Sequence, residues 1–250
     1  AITPKTKAIL PVHWMGCPAD MHEILVVAEK HGLMVIEDAC AAAGAKIGGK
    51  RCGSFGNINA FSMHPLKPLN VWGDGGMVAT NDDEMAAFLR LYHNHGLVDR
   101  DHIKFWGINS RLQPFQAVIA SRQLDKIEED ITSRINNAGL LDEKLKSLEG
   151  FVVTPPRKNN FREVYQIYAV RVQRRNELVS FLTSRDIECK IHYPVPLHLQ
   201  QAALSLGYSR GDFPECEIQA DEIITLPAHH YISEQQINYM VDCISDFYQK

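Results

Sequence analysis

A short apolar run that ends in two carboxylates is the feature that most constrains the fold of this 250-residue chain. Leu33 to Ile36 is too short for a helix, and its Val and Ile favour a strand buried on both faces of a sheet. Glu37 and Asp38 close the run. Ligands of open α/β sheets bind at the carboxyl ends of the strands, so an acid at this position indicates a site. Of the two acids, Asp38 is the stronger candidate.

The residues before this run complete a βαβ unit. Lys7 to His13 is a second apolar run with the character of a buried parallel strand. Pro18 to Lys30 carries apolar residues at helical spacing, and Gly32 follows as a stop signal. The pattern predicts a crossover helix between two parallel strands and therefore an α/β fold.

A lysine follows the next predicted strand. Ile58 to Met63 has the pattern of a strand, and Lys67 lies soon after it between Pro65 and Pro68, which favour a rigid, non-helical loop. A lysine that bonds the cofactor aldehyde, and an acid that keeps the ring nitrogen protonated, are the groups that a pyridoxal phosphate enzyme requires. Lys67 and Asp38 would fill these roles. The alternatives are a solvated lysine and an aspartate that only caps a turn.

Composition excludes several classes of function. A net charge of -4 and a pI near 6.3 give no basic field for nucleic acid or an anionic membrane. The six cysteines show neither close pairs nor metal-ligand spacing, which predicts free thiols in the cytoplasm and no metal site. No apolar run approaches the roughly 20 residues of a membrane span.

The second half of the chain predicts a smaller lobe. A helical pattern begins at Pro114 and continues to Leu148, with a bend predicted at residues 136–139. This linking helix would end a large domain of residues 1–150. Residues 151–250 then predict a small α+β domain with strands at Tyr165–Val172 and Glu188–His192, a helix at Asn176–Arg185, and a last helix capped by Ser233 and Gln236.

Six strings, in order along the chain, resemble the successive signatures of the DegT/DnrJ/EryC1/StrS family of sugar aminotransferases. They are IEDACAAAGA, GSFGNINAFSMHPLK, GDGGMVATND, NHG, GINSRLQPFQAVIA and YPVPLHLQ. The resemblance implies an aspartate-aminotransferase-like large domain of fold type I with a mostly parallel sheet. It also implies pyridoxal 5'-phosphate as cofactor, with glutamate or glutamine as amino donor. The acceptor would be a keto sugar, in most cases nucleotide-linked, or a keto-cyclitol.

The resemblance also assigns site residues. It makes Lys67 the Schiff-base lysine, Asp38 the partner of the ring nitrogen and Ser62 a phosphate ligand. Asn109 would be a phosphate ligand donated across a homodimer interface, so that the active sites are shared. His64 beside the lysine loop, and His192, Tyr193 and His198 in or next to YPVPLHLQ, are candidates for substrate contacts. For the last three, packed or solvated loop residues are an equal alternative.

The chain departs from the family pattern at two positions. The family usually has a glutamine that bonds the cofactor's phenolic oxygen where this chain has Ala41, and a histidine is frequent where it has Ala43. The departure at Ala41 concerns the fine tuning of the cofactor contact and the substrate class, but not the identity of the cofactor. Family members are also longer, which leads us to expect that an N-terminal portion is absent before Ala1.

Two other functions compete with transamination. Some relatives are sugar dehydratases that use the same cofactor, but in the dehydratases that this chain resembles, a histidine replaces the lysine that is Lys67 here. The rival from another class is a non-catalytic, partner-binding remnant of the fold. An absorption spectrum distinguishes the cofactor-binding enzymes from the remnant.

Overall fold

The chain forms two compact units in a computed structural model that describes residues 1–249. Lys250, the last residue of the predicted C-terminal domain, lies outside the described residues. One unit contains Ala1–Thr132 and Lys158–Gln166, and the other contains Ser133–Arg157 and the chain from Ile167 onward. The division falls within a helix rather than near Gly150, where the sequence predicts a boundary.

The described elements are short strands and longer helices. The strands are β1 (Ala8–Ile9), β2 (Met34–Asp38), β3 (Lys46–Ile47), β4 (Lys50–Arg51), β5 (Ile58–Ser62), β6 (Gly76–Ala79), β7 (Val152–Val153), β8 (Phe161–Arg162), β9 (Tyr168–Val172) and β10 (Ile223–Leu226). The helices are α1 (Met21–His31), α2 (Asp83–Tyr92), α3 (Pro114–Leu124), α4 (Ile127–Leu145), α5 (Arg175–Thr183), α6 (Pro214–Glu222) and α7 (Glu234–Gln249). Short 3-10 turns at residues 14–16, 146–148, 197–199 and 201–206 complete the elements.

The first unit is built on a four-stranded sheet with the order β1-β2-β5-β6. β1, β2 and β5 are parallel, and β6 is antiparallel to β5. The prediction of a mostly parallel sheet is therefore confirmed. β2 differs from the prediction in one respect, because only one of its faces is fully covered. Val35 and Glu37 are buried, whereas Met34 is 41% exposed.

Helix ends in this unit follow the expected signals closely. α1 ends at Gly32, which adopts the left-handed conformation (φ 61°) that a residue with a Cβ disfavours. α2 begins at Asp83. Its N-cap is Asp82, whose side chain accepts the backbone N–H of Met85 at 2.8 Å.

The predicted long helix is interrupted, but not at residues 136–139. α3 ends at Leu124 and α4 starts at Ile127, and α4 then continues without a break to Leu145. The predicted bend is wrong because the Asn137 side chain donates to the carbonyl of His229 (2.9 Å) and Ala138 is fully buried. This packing outweighs the weak helix propensity of an Asn-Asn-Ala-Gly sequence.

The second unit has an antiparallel sheet with the order β10-β9-β7. α7 buries Ile237, Met240, Val241, Cys243, Ile244 and Phe247. Its predicted cap is confirmed, since Ser233 Oγ accepts the Gln236 N–H (3.3 Å) and Gln236 Oε1 accepts the Ser233 N–H (2.9 Å). The predicted strand at Glu188–His192 is wrong, because this segment forms only an isolated bridge from Lys190 to Thr225 of β10.

A third, small sheet contains a strand from late in the chain, which pairs with strands of the first unit. β8 pairs with β3, and β3 pairs with β4 across a turn that contains Gly48 and Gly49. This pairing explains why residues 158–166 belong to the first unit. No helix among residues 1–249 combines the length and the apolar character needed to cross a bilayer.

Candidate active site

Asp38 lies at the carboxyl end of β2, and neighbouring segments hold its backbone on both sides. Its N–H donates to the carbonyl of Pro11 (2.9 Å), and its own carbonyl accepts the N–H of His13 (3.0 Å). On the other side, Asp38 pairs with Ala60 of β5. One carboxylate oxygen accepts the N–H of Cys40 (3.0 Å). The acid is therefore presented from a rigid strand end, as its place in the sequence predicts.

Lys67 lies in a loop that is anchored by its apolar flanks. Met63, Leu69 and Val71 form a buried cluster, and the Val71 N–H donates to the carbonyl of Met63 (3.1 Å). Within the loop, the N–H of Lys67 donates to the carbonyl of His64 (2.9 Å). The lysine side chain itself is half-buried. Packing of the flanks adds to the proline restraint expected from the sequence.

Cys40 is a half-buried thiol close to Asp38. Burial raises the pKa of its thiol to about 11; a hydrogen bond and the charge of Asp38 add to the rise, and the charge of Lys67 opposes it. The backbone of Ser62 interacts with the same thiol. The Cys40 thiol is therefore influenced by the charges of both Asp38 and Lys67 and by the backbone of Ser62. The sequence interpretation treated Cys40 only as a free thiol, although it stands two residues after Asp38.

This donor set fits pyridoxal phosphate. The carboxylate of Asp38 and the half-buried hydroxyl of Ser62 belong to the ends of neighbouring parallel strands, and the half-buried amine of Lys67 lies in the loop that follows the second of these strands. These are the groups needed to bond an aldehyde, to accept a hydrogen bond from a protonated ring nitrogen and to bind a phosphate. Among the described residues, no group of three or more His, Cys, Asp and Glu side chains could hold a metal ion.

The two alanines that depart from the family pattern lie close to these groups. Ala41 is half-buried, and its methyl group offers no hydrogen bond. Ala43 packs against the buried cluster of Met63, Leu69 and Val71 that anchors the lysine loop. His64 is exposed, and its Nδ1 accepts the N–H of Leu66 (3.2 Å).

Asn109 lies in the same unit, in a loop whose two arms approach closely. A Cβ on Gly107 would lie 2.5 Å from the backbone of Tyr92 and of Gly96, so this position requires glycine. The Asn109 side chain is exposed and accepts a hydrogen bond from Arg111 Nε (3.1 Å). Its observed polar contact is with Arg111 rather than with Lys67, and its predicted role across a dimer interface stays a prediction.

The other substrate candidates lie in the second unit. His192 Nδ1 is 3.2 Å from Thr225 Oγ1, and Tyr193 is exposed. His198 is only 8% exposed, and its Nε2 is 3.0 Å from Glu217 Oε1. His198 thus has the environment of a packed loop residue. Substrate contacts by these residues stay predictions.

A buried carboxylate next to Asp38 escaped the sequence interpretation. Glu37 is fully buried and accepts hydrogen bonds from His13 Nε2 (2.8 Å) and from the backbone N–H groups of Gly53 (2.7 Å), Phe55 (2.5 Å) and Gly56 (2.6 Å). Burial alone would raise the pKa of Glu37, but these hydrogen bonds outweigh it and hold the pKa below its ordinary value. The only signal in the sequence was an acid beside the candidate Asp38.

The fold and the convergent lysine, aspartate and serine define an α/β protein with a site suited to pyridoxal phosphate. The sequence pattern of the DegT/DnrJ/EryC1/StrS aminotransferase family matches residues 1–245, and the chain belongs to this family.

Individual relatives agree with this assignment. The chain is 41% identical over 250 residues to a "pleiotropic regulatory protein" of Geobacillus stearothermophilus, covering all of this chain and 67% of that one. It is 35% identical to a dTDP-3-amino-3,4,6-trideoxy-alpha-D-glucose transaminase of Streptomyces venezuelae, covering 100% of this chain and 66% of the relative.

A solved structure shows the same relationship. The crystal structure of S. venezuelae DesV in complex with a ketimine intermediate superposes with a TM-score of 0.93 at 35% identity, covering 100% of this chain and 67% of that one. The chain therefore spans about two thirds of the length of the relatives that it matches.

Proposed function

We propose that this protein is a pyridoxal-phosphate-dependent aminotransferase of fold type I. It would transfer an amino group from glutamate or glutamine to a keto acceptor.

 The acceptor that we propose is a nucleotide-linked keto sugar, or a keto-cyclitol of similar shape. The observation that carries the proposal is the register of β2 and β5, which brings Asp38 and Ser62 to the same edge of the sheet, just before the Lys67 loop, in a chain of this family. The named activity of the S. venezuelae relative supports a nucleotide-linked sugar as the acceptor.

Each residue of the site has a distinct role in this proposal. Bound pyridoxal phosphate supplies an electron sink for the charge that develops when the donor amino acid loses its Cα proton. Lys67 Nζ would hold the cofactor in the resting protein and, once the donor's amino group has displaced it, would take up and return that proton. The Asp38 carboxylate would accept a hydrogen bond from the ring nitrogen and favour its protonated form. Ser62 Oγ would donate a hydrogen bond to the phosphate.

We further propose that the protein acts as a homodimer in which Asn109 completes the partner's phosphate site. Several large apolar side chains of this unit are exposed: Leu66, Trp72, Trp106, Ile108, Phe115 and Val118. Trp106 is 87% exposed. An exposed set of this kind supports an interface with another protein surface.

Reduction with borohydride tests the proposed function. The full-length protein is incubated with pyridoxal phosphate, its visible absorption is recorded, and the labelled peptide is identified after reduction. We expect a visible band and a label on Lys67, with both lost in Lys67→Ala. Lys146→Ala, an exposed lysine of the second unit, is the matched control and should behave as the wild type. A band that persists in Lys67→Ala, with the label on another lysine, contradicts the proposal.

Activity is then measured with glutamate and glutamine against keto sugars carried on dTDP and on UDP. Transfer to a nucleotide-linked keto sugar supports the proposed acceptor. Transfer only to free keto sugars or keto-cyclitols would leave the reaction type intact and correct the acceptor.

A further inference from the structure

Glu37 and Asp38 occupy opposite faces of β2, because successive side chains of a strand alternate. Asp38 serves the proposed site, whereas Glu37 is 0% exposed and lies on the covered face. A buried carboxylate is costly unless hydrogen bonds satisfy its charge. Glu37 meets this condition with two hydrogen bonds to each oxygen, three of the four from backbone N–H groups.

The position of the proton on the His13 ring follows from the two hydrogen bonds that the ring makes. The N–H of Ala19 donates to His13 Nδ1 (3.0 Å), so Nδ1 carries no proton. The proton is then on Nε2, which donates to Glu37 Oε2 (2.8 Å). His13 is therefore a neutral donor, and the Glu37 charge is held by N–H dipoles rather than by a cation.

His13 joins the two carboxylate residues. Its ring binds the Glu37 side chain, and its backbone N–H donates to the carbonyl of Asp38 (3.0 Å). A displacement of the Glu37 side chain would thus be transmitted through one residue to the backbone that carries the Asp38 carboxylate.

Glu37 also holds the segment that leads to the other site residues. Residues 53–56 donate three N–H groups to its carboxylate and lead directly into β5, which carries Ser62 and precedes Lys67. The approach of this segment to β2 is close, since a Cβ on Gly56 would lie 2.7 Å from the carbonyl of Val35. One buried charge therefore connects the strand of Asp38 with the strand of Ser62.

We infer that Glu37, together with His13, is a positioning residue that sets the Asp38 carboxylate for the proposed reaction. The inference rests on the proposed function. It assigns to Glu37 no contact with substrate or cofactor, and it requires that the effect of Glu37 pass through Asp38.

A double-mutant cycle tests this dependence in the full-length protein loaded with pyridoxal phosphate. Glu37→Gln keeps the size of the side chain but places an amide NH2 among N–H donors. We expect a shift in the pH titration of the visible band and a fall in kcat of about 10-fold, as for supporting residues of other sites. In an Asp38→Asn background, Glu37→Gln should cause no further change in either quantity.

His13→Ala provides a second cycle if Glu37→Gln does not fold, because it removes one of the four donors and leaves the carboxylate. Asp142→Asn is the control. Asp142 accepts hydrogen bonds from Arg157 and Tyr168 within the second unit. Its substitution should lower Tm and leave the visible band and kcat unchanged.

The results separate the possible failures. An equal loss of kcat from Glu37→Gln in both backgrounds, or a lowered Tm with an unshifted band, overturns the positioning role and leaves a purely structural one. If the wild-type protein forms no visible band, the proposed function fails, and with it the basis of this inference.

Discussion

Asp38 and Ser62 end neighbouring parallel strands, and the pairing of Asp38 with Ala60 places the serine two residues further along β5. Residues that are 24 positions apart in the sequence thereby reach the same edge of the sheet. The Lys67 loop follows β5 directly. The register of two strands therefore accounts for the meeting of an acid, a hydroxyl and an amine.

Asp38→Asn should retain cofactor binding but lose most turnover. An amide holds the ring nitrogen protonated less well than a carboxylate does, so the electron sink is weakened. We expect the loss in kcat with little change in the dissociation constant for pyridoxal phosphate. Absorption titration and steady-state kinetics measure the two quantities. Turnover near the wild-type rate would show that Asp38 is not the partner of the ring nitrogen.

Ala41→Gln should shift the absorption of the bound cofactor without changing the reaction type. The substitution restores the amide that the family usually has at this position, where this chain has only a methyl group. Ala41→Leu, which adds bulk without a polar group, is the control. An unshifted spectrum in Ala41→Gln would indicate that another residue, such as His64, already makes the contact.

Lys67→Ala and Asn109→Ala should complement each other in mixed dimers. In a two-fold dimer with shared sites, one site of the mixed dimer has both residues and the other has neither. Co-refolded variants should therefore be more active than either variant alone, provided that Asn109→Ala is itself impaired. If mixed dimers form and activity is only the average of the parents, the shared-site proposal is wrong.

The free energy of unfolding should depend on the charge of Glu37 at acidic pH. Hydrogen bonds hold the pKa of Glu37 below its ordinary value in the folded protein. Glu37 therefore makes its full contribution to the free energy of unfolding above its unfolded-state pKa, which is roughly 4.3. This contribution is lost as the pH falls through the lower pKa of the folded protein. Denaturant unfolding at several pH values should show that the stability gap between wild type and Glu37→Gln narrows in this acidic range. A gap that stays constant would contradict the assignment.

Arg175→Met should destabilise the second unit. Arg175 Nη1 donates to the carbonyls of Ala220 in α6 (3.1 Å) and of Ile223 at the start of β10 (3.0 Å), and Arg175 is almost fully buried. Loss of both hydrogen bonds leaves these carbonyl groups without their donor, which should lower the free energy of unfolding by about 1–3 kcal/mol. Arg122→Met is the control, because Arg122 is exposed and its ion-pair distance to Asp125 is 3.9 Å. Equal effects of the two substitutions on unfolding would refute this account.

Local signals predicted the elements near the site well. β2, β5 and α1 follow the predicted ranges to within about three residues, because apolar runs and a glycine stop reflect the same packing that forms the elements. The capping pair of Ser233 and Gln236 is likewise local. Family strings, rather than periodicity, supplied the roles of Ser62 and Asn109.

Features that depend on distant partners escaped prediction. β10 was missed because Ile223–Leu226 follows α6 without a turn signal, and its strand character depends on pairing with β9. The Glu37 network joins residues 13, 37 and 53–56, and nothing in the local sequence of any one segment indicates the other two. The break between α3 and α4 falls at Asp125 and Lys126. Neither residue is a Gly or Pro, so the local sequence carries no signal for the break.

The pairing of β8 with β3 makes the first unit discontinuous in the sequence. A chimera joined at a single point, such as Gly150, would take β8 from a different parent than its partner strand β3. Exchange of the second unit between related proteins therefore requires two inserted segments, residues 133–157 and the chain from Ile167 onward, with residues 158–166 kept from the first parent. Recombination libraries built with such paired junctions should yield more folded proteins than libraries built with one junction.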